Sequence, residues 1–290
     1  MTSSVQGRVV LITGAARGIG AGVARALAAR GAKLSLVGLE PERLEALATE
    51  LGPDAAWFEA DVTDRAAIDA AVAGTVARFG GIDVVIANAG VAPVGTVTTL
   101  PREAFAKTID VNLMGVYDTI HAALPHVIER KGYILPISSG AAIMHLPMMA
   151  AYAASKAAVE AFADSLRVEL APKGTAVGCA YFLFIDTDMV RQADAHPATQ
   201  RSKITMGTAP LSAAVDAIVA GVERRSRIVY APRHLPALMV LRGIVNPAVN
   251  RLAPRRRDVR EAIRLAEENP QGPGSGPMAP PAPAAAAADG

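Results

Sequence analysis

Cysteine is almost absent from this 290-residue chain. Cys179 stands alone, which excludes an internal disulfide framework and fits a reducing cytoplasm. Lying in an apolar run, it reads as a small core residue rather than a reactive thiol. Net charge is also nearly absent, at +2, and the basic residues gather locally at Arg224, Arg225, Arg227 and Arg255–Arg257. That balance gives no bulk attraction to nucleic acid. No secretory leader is evident, because the first apolar run, Val9–Ile12, is too short and leads straight into Gly14. A later apolar stretch, Leu235 to Leu252, is interrupted by Arg242, Asn246 and Pro247, too much for a membrane span. The five histidines, His121, His126, His145, His196 and His234, show no ligand spacing with cysteine or acidic residues, and no HExxH occurs. No metal is expected.

What is present is a hydrophobic half, 51% of the residues, in a chain long enough for one large α/β domain or two small ones. Arg8 to Thr13 reads as a buried strand. It runs into Thr13-Gly14-Ala15-Ala16-Arg17-Gly18-Ile19-Gly20 and a helix to about Arg30. The glycines let the backbone turn sharply and approach a ligand, and the helix start offers N–H groups to a pyrophosphate. Further strands are expected at Lys33–Val37, Ala55–Ala60, Ile82–Ala87, Tyr133–Ile137, Ala176–Ala180 and Ile228–Tyr230. Helices fall between them, near 42–51, 65–79, 102–130, 151–170 and 213–224. The alternation predicts an α/β fold: a Rossmann-like, doubly wound, seven-stranded, mostly parallel sheet with helices on both faces. One such domain is expected over residues 1–232, with a lid at about 186–210, a helical appendage at 233–268 and a disordered Pro/Ala/Gly-rich tail at 269–290.

Tyr152 and Lys156 are four residues apart in a run of good helix formers, so both share one helix face. A free phenol, with a pKa near ~10, is a poor base at neutral pH, and an ammonium one turn away favours the phenolate. Alone, the pair could be surface decoration. Ser139, however, follows the apolar run Tyr133–Ile137, and a hydroxyl at that strand end can meet the pair across a cleft. Asp61-Val62 closes the third strand, where a carboxylate can accept from an adenine amine, and Asn88-Ala89-Gly90 closes the fourth. Asn112 sits mid-helix, where a polar residue costs helix propensity and could simply face outward.

In order and spacing, Thr13-Gly14-x-x-x-Gly18-x-Gly20, Asp61, Asn88-Ala89-Gly90, Asn112, Ser139 and Tyr152-x-x-x-Lys156 resemble the short-chain dehydrogenase/reductase family, over about residues 7 to 232. The resemblance implies an NAD(P)-dependent oxidoreductase acting on CH–OH groups and interconverting a secondary alcohol and a ketone. In it Ser139 would hydrogen-bond the substrate oxygen and Tyr152 would exchange the proton. Lys156 would lower the tyrosine pKa and hold the nicotinamide ribose, and Asn112 would anchor a water that passes the proton on. The implied cofactor positions are Gly14, Arg17, Gly18, Ile19, Gly20, Gly38, Asp61, Val62, Asn88, Ala89, Gly90, Tyr152, Lys156, Ile185 and Thr187, with Thr187 gripping the carboxamide. A homodimer or homotetramer built on the helices at 102–130 and 151–170 is implied as well.

Two departures stand out. Where the family has Pro-Gly after the sixth strand, this chain has Phe182-Leu183, which adds apolar surface beside the site. At the end of the second strand, the acidic NAD signature and the basic NADP signature are both replaced, by Gly38 and Leu39. Arg17 could pair with a 2′-phosphate and Glu40 could repel it or bind the ribose; the balance tips slightly to NADP(H), with NAD(H) nearly level.

Met144, His145 and Met148, between Ser139 and Tyr152, and Phe182 and Phe184 opposite them, are the expected substrate lining; packing as core under the lid is the alternative. An apolar, adaptable pocket favours a bulky hydrophobic substrate, such as a steroid, terpenoid or long-chain hydroxy compound. A 3-oxoacyl-carrier reductase is the second reading, with Arg191, Arg201 and Lys203 as a thin docking surface. A non-catalytic dinucleotide sensor is the third, opposed by the complete Ser/Tyr/Lys/Asn set. For 233–268, Pro236 and Pro247 are expected to break the helix into short pieces. That favours a cover for the pocket or for a partner subunit over contact with a membrane surface.

Overall fold

A computed structural model of the chain describes residues 5–201 and 208–270. Its centre is a parallel sheet in the order β3-β2-β1-β4-β5-β6, with β1 at Val9–Thr13, β2 at Lys33–Gly38, β3 at Ala55–Glu59, β4 at Val84–Ala87, β5 at Tyr133–Pro136 and β6 at Ala176–Val177. β1, β4 and β5 are buried at every residue, as expected of parallel strands covered on both faces. Val10, Ile12, Val84, Ile86 and Leu135 point to one face, where they meet α1 (Gly18–Ala28), α2 (Pro41–Leu51) and a later helix at Leu211–Arg224. Leu11, Val85 and Ile134 point to the other, against α3 (Arg65–Phe79), α5 (Gly115–Glu129) and α6 (Ala150–Leu170), with α4 (Arg102–Ile109) packed on α6. The winding turns back between β1 and β4, so a crevice opens beyond their carboxyl ends. The α/β, doubly wound reading of the sequence holds.

The seventh strand does not join that sheet. The expected strand Ala176–Ala180 is divided at Gly178 into β6 and β7 (Cys179–Phe182), and β7 pairs instead with β8 (Ile228–Ala231) in a separate two-stranded parallel sheet. The Ser138 N–H, bonded to the Ala180 carbonyl at 2.7 Å, and a parallel bridge from Ile137 to Ala180 keep the two sheets in step. Tyr133 accounts for the break. Its buried phenol donates to the Ser226 carbonyl at 2.7 Å, passing over Gly178, where a Cβ would collide with both groups.

The expected lid holds α7 (Asp188–Ala195) and α8 (Pro197–Arg201), after which α9 spans Leu211–Arg224. Residues 202–207 of that lid, and the tail from 271 onward, lie outside the described residues. The two prolines do not fragment the appendage: α10 runs unbroken from Leu235 to Leu252. Pro236 occupies the first turn, where no backbone donor is needed, and Pro247 removes a single ladder bond without ending the helix. Leu235 is buried, Arg242 pairs with Glu160 of α6 at 2.9 Å, and the Asn246 amide donates to the Ile143 carbonyl at 2.8 Å. A short 3₁₀ turn leads to α11 (Arg257–Glu268), whose Val259, Ala262 and Ala266 are buried. Helix α11 packs on α8, where Ala198 is fully buried, and the Asn269 carbonyl comes within 3.3 Å of His196.

Gly178→Ala should therefore destabilise the protein by roughly 2–4 kcal/mol through overpacking and loss of the phenol–carbonyl bond. Tyr133→Phe, which deletes only that bond, should cost about 1 kcal/mol. Chemical denaturation checks both, and an unchanged midpoint for Gly178→Ala would remove Tyr133 as the cause of the break.

Candidate active site

The ends of β1 and β4 are locked together. The Thr13 hydroxyl accepts from the backbone N–H groups of Asn88, at 3.1 Å, and Ala89, at 3.3 Å. In return the Asn88 amide donates to the carbonyls of Thr13, at 3.0 Å, and Gly14, at 3.2 Å. Gly14 has φ +64°, and a Cβ there would stand 3.0 Å from Ala89 Cα and from the Asn88 amide, so only glycine fits. Asn88 thus braces the glycine-rich turn. Past it, Gly18, Ile19 and Gly20 open α1, and Arg17 caps the helix in an extended conformation without lending a side-chain acceptor. The Arg17 guanidinium instead lies 3.2 Å from the Glu40 carboxylate, beside Gly38 at the end of β2. Beyond β3, Asp61 accepts from the Thr63 N–H and hydroxyl, and Val62 is buried against Gly115. Across the crevice Ile185 is buried, and the Thr187 hydroxyl caps α7 by accepting from the Val190 N–H at 3.4 Å. The Thr187 methyl group lies 3.9 Å from where a Gly18 Cβ would be, so both walls of the crevice meet at the turn.

β5 delivers Ile137, Ser138 and Ser139 to the same edge, and α6 presents Tyr152 and Lys156 from one face. The Ser138 hydroxyl donates to the Lys156 carbonyl at 2.8 Å and ties strand end to helix. The Ser139 hydroxyl accepts from the Ala141 N–H at 3.1 Å and reaches the Phe182 carbonyl at 3.3 Å. Lys156 is buried, with Nζ donating to the Ile137 carbonyl at 2.8 Å and lying 5.8 Å from the centre of the Tyr152 ring.

Asn112 is not on a regular helix. It sits in a π-helical turn, Asp110–Met114, between α4 and α5, where the Gly115 N–H reaches back five residues to Asp110. The turn directs the amide inward, fully buried, where it accepts from the Val91 N–H at 2.8 Å and donates to the Val91 carbonyl at 2.9 Å and the Ser155 hydroxyl at 3.0 Å. Ser155 in turn donates to the Tyr152 carbonyl at 2.8 Å. Asn112 and Lys156 converge on Gly90, where a Cβ would lie 3.2 Å from Asn112 Oδ1 and 3.5 Å from Lys156 Nζ. Ser138 and Ser155 are the members that sequence reasoning missed, and Thr13 entered it only as part of the glycine motif; small hydroxyls carry no signal of their own until strand and helix are brought together.

Burial governs the charges. It raises the Tyr152 phenol above its ordinary value, with the neighbouring Ser139 hydroxyl opposing, and lowers Lys156 to about 8. Desolvation is the largest cause at both groups. Burial also pushes the Cys179 thiol up to about 12, which makes it inert at neutral pH.

The residues expected to line the substrate pocket divide. Phe182 is 6% exposed and packs in the core beneath β1 and α9, and Met144 is 7% exposed and likewise buried. Strand alternation explains Phe182: Tyr181 and Leu183 belong to the opposite face, and Leu183 lies over Gly140, where a Cβ would collide with it, directly beside Ser139. His145 is exposed and faces a groove shared with Glu160, Arg242 and Asn246. Met148 and Phe184 remain half-buried, the former at φ +66°. Among the described residues no cluster of His, Cys, Asp or Glu could hold a metal ion.

Residues 8–198 match the family model described as short chain dehydrogenase. The chain is 40% identical over 171 residues to 2,3-dihydro-2,3-dihydroxybenzoate dehydrogenase of Bacillus subtilis, a match covering 58% of this chain and 66% of that protein, just under two thirds of its length. It is 35% identical over 191 residues to galactitol 2-dehydrogenase of Agrobacterium fabrum, covering 65% of this chain and 75% of that one. Among solved structures, 3-ketoacyl-(acyl-carrier-protein) reductase from Brucella melitensis, complexed with NADH, superposes with a TM-score of 0.70 at 27% identity, over 79% of this chain and 98% of the other. With the braced glycine turn and the Ser139, Tyr152, Lys156 and Asn112 constellation in place, this chain belongs to the short-chain dehydrogenase/reductase family of oxidoreductases.

Proposed function

We propose that the protein interconverts a secondary alcohol and a ketone with a nicotinamide dinucleotide. The observation that carries this reading is the chain of contacts from Ser139 to Tyr152 and from Tyr152 to Lys156, whose Nζ lies with Asn112 beside Gly90. Gly14 through Gly20, Asp61, Val62, Asn88 through Gly90, Ile185 and Thr187 would hold the dinucleotide, which supplies or accepts the hydride when bound.

The chain's own residues handle the proton. Ser139 hydrogen-bonds the substrate oxygen, and Tyr152 takes the hydroxyl proton in oxidation or returns it in reduction. A phenolate costs free energy in this buried site, and the protonated Lys156 offsets it by giving the new anion a partner in low dielectric. Asn112, both of whose amide hydrogens are engaged by protein groups, is a positioning residue that fixes the Val91 segment and, through Ser155, the first turn of α6. Leu183, Met148 and Phe184 give the substrate side an apolar character, which favours a bulky hydrophobic alcohol or ketone. The structural likeness to a carrier-protein reductase keeps a carrier-bound 3-oxoacyl group as the second reading. Of the residues expected to dock the carrier, the Arg191 guanidinium is paired with Asp186 and Asp188, and Lys203 lies outside the described residues.

Tyr152→Phe should retain cofactor binding and lose turnover by roughly 10²–10⁴-fold. Near-normal turnover in that variant would sink the proton-transfer role, and cofactor binding without turnover on any ketone of a broad panel would favour a sensor.

Cofactor choice rests on the Arg17–Glu40 pair. Glu40→Gln removes a carboxylate that would repel a 2′-phosphate and should move the kcat/KM ratio towards NADP by about tenfold. Gly38→Asp should move it towards NAD, since the nearest atoms to an added Cβ are at an ordinary 3.7–3.8 Å and the carboxylate opposes a phosphate. Ratios that stay fixed in both variants would place the 2′ position elsewhere.

Lys156 sets a pH signature in the cofactor-free protein. Below about pH 8 the lysine is charged both folded and unfolded, and the folded state bears the desolvation. From there up to about 10.5 the folded state alone sheds the proton, so stability rises with pH. Relative to Lys156→Met, the wild type should gain on the order of 3 kcal/mol between pH 7 and pH 10.5. Parallel urea titrations of the two proteins would show the gain, and a constant difference would mean that the amine is solvated.

A further inference from the structure

Helix α10 is apolar on two sides. Its inner side carries Leu235, buried, with Leu238 and Met239 packed against the core. Its outer side carries Val240, 84% exposed, Ile244, 72%, Leu252, 55%, and Leu241, 46%, with Ala237 and Ala248 between them. Helical spacing places these on one face opposite Leu235 and Asn246, with Arg251 at its far end. A contiguous apolar face left exposed beside a packed one marks an interaction surface. Beside it, β8 alternates: Val229 and Ala231 pack towards α9, leaving Ile228 and Tyr230 exposed on the side that carries α10.

The charge around this face has one sign. Between Glu223 and Asp258 the chain holds nine arginines and no acidic residue. Arg233 and His234 stand exposed before α10, and Arg251, Arg255 and Arg257 stand exposed at or beyond its end. The neighbouring carboxylates are engaged: Glu160 by Arg242, Asp164 by Arg167 and Asp258 by Arg256.

We propose that α10 docks the protein on an anionic membrane surface, with Val240, Leu241, Ile244 and Leu252 in the acyl boundary and the flanking arginines at the headgroups. The helix lies on the bilayer and does not cross it, for no helix among the described residues is long and apolar enough to span one. A second copy fits less well. Packed parallel or antiparallel, two such faces bring arginine-flanked ends together. The face of an 18-residue helix, about 27 Å long and one helix wide, is also far smaller than the ~800 Å² per partner of a stable dimer. The unbroken helix leaves its inner side free to cover the core and its outer side to face the bilayer.

Flotation of the full chain with vesicles tests this. Binding to phosphatidylcholine vesicles containing one third phosphatidylglycerol should be at least about tenfold tighter than to phosphatidylcholine alone, and should fall at about 0.5 M salt. Val240→Glu combined with Ile244→Glu should weaken binding about tenfold or more. Val97→Glu, at a 76%-exposed valine outside α10, should leave it unchanged. Ile244→Trp provides a second readout that keeps the native apolar face, with a blue shift in its emission expected on adding the anionic vesicles. No anionic binding, no blue shift, or binding indifferent to the double variant would overturn the proposal. So would a lipid-free oligomer that the double variant dissociates, which would assign the face to a second copy.

Discussion

A lysine buried inside a domain has to be supplied with acceptors, and that requirement organises everything around the crevice. Lys156 reaches the Ile137 carbonyl, the Ser138 hydroxyl reaches back to the Lys156 carbonyl, and the two bonds clamp α6 onto the end of β5. Because β5 pairs with β4, the clamp fixes α6 against the Asn88–Gly90 segment as well. Asn112 closes the loop from the other direction, binding Val91 and Ser155 together. The position of Tyr152 follows from this closed set of polar bonds more than from any contact of its own ring. Burial lowers this amine to about 8, which leaves it charged at neutral pH.

Most of this was legible in the sequence because the signals were local. β-branched runs set off by glycine gave the strands, alanine-rich windows the helices, and motif spacing gave the order of the site residues. Three features were not legible. The π-helical turn at Asn112 depends on an inward amide finding the Val91 backbone, which no propensity scale encodes. The division at Gly178 depends on Tyr133, forty-five residues away in sequence, crossing to Ser226. The continuity of α10 depends on where each proline falls within the helix, and a proline count cannot give that. Phe182 and Leu183 are a milder case: period-two alternation from Tyr181 already separates them, and it is the leucine that lies beside Ser139.

The relatives carry different substrates in their names, a dihydrodiol, a sugar alcohol and a carrier-bound ketoacyl group, while sharing the early and middle parts of this chain. The family match ends at residue 198, inside α8. Beyond that match lie α9, β8, α10 and α11. The matched part holds the six-stranded sheet and the Ser139, Tyr152, Lys156 and Asn112 constellation.

The bond from Asn246 to the Ile143 carbonyl gives the part beyond the match a mechanical role. Ile143 lies four residues past Ser139, at the end of the short 3₁₀ turn Gly140–Ala142. Helix α10 is thereby a stiffening rod fastened at one end to β8 and near its middle to the segment that carries the serine. A force applied to its outer face is transmitted to the backbone behind Ser139, so the compliance of the site is set partly by whatever that face rests upon.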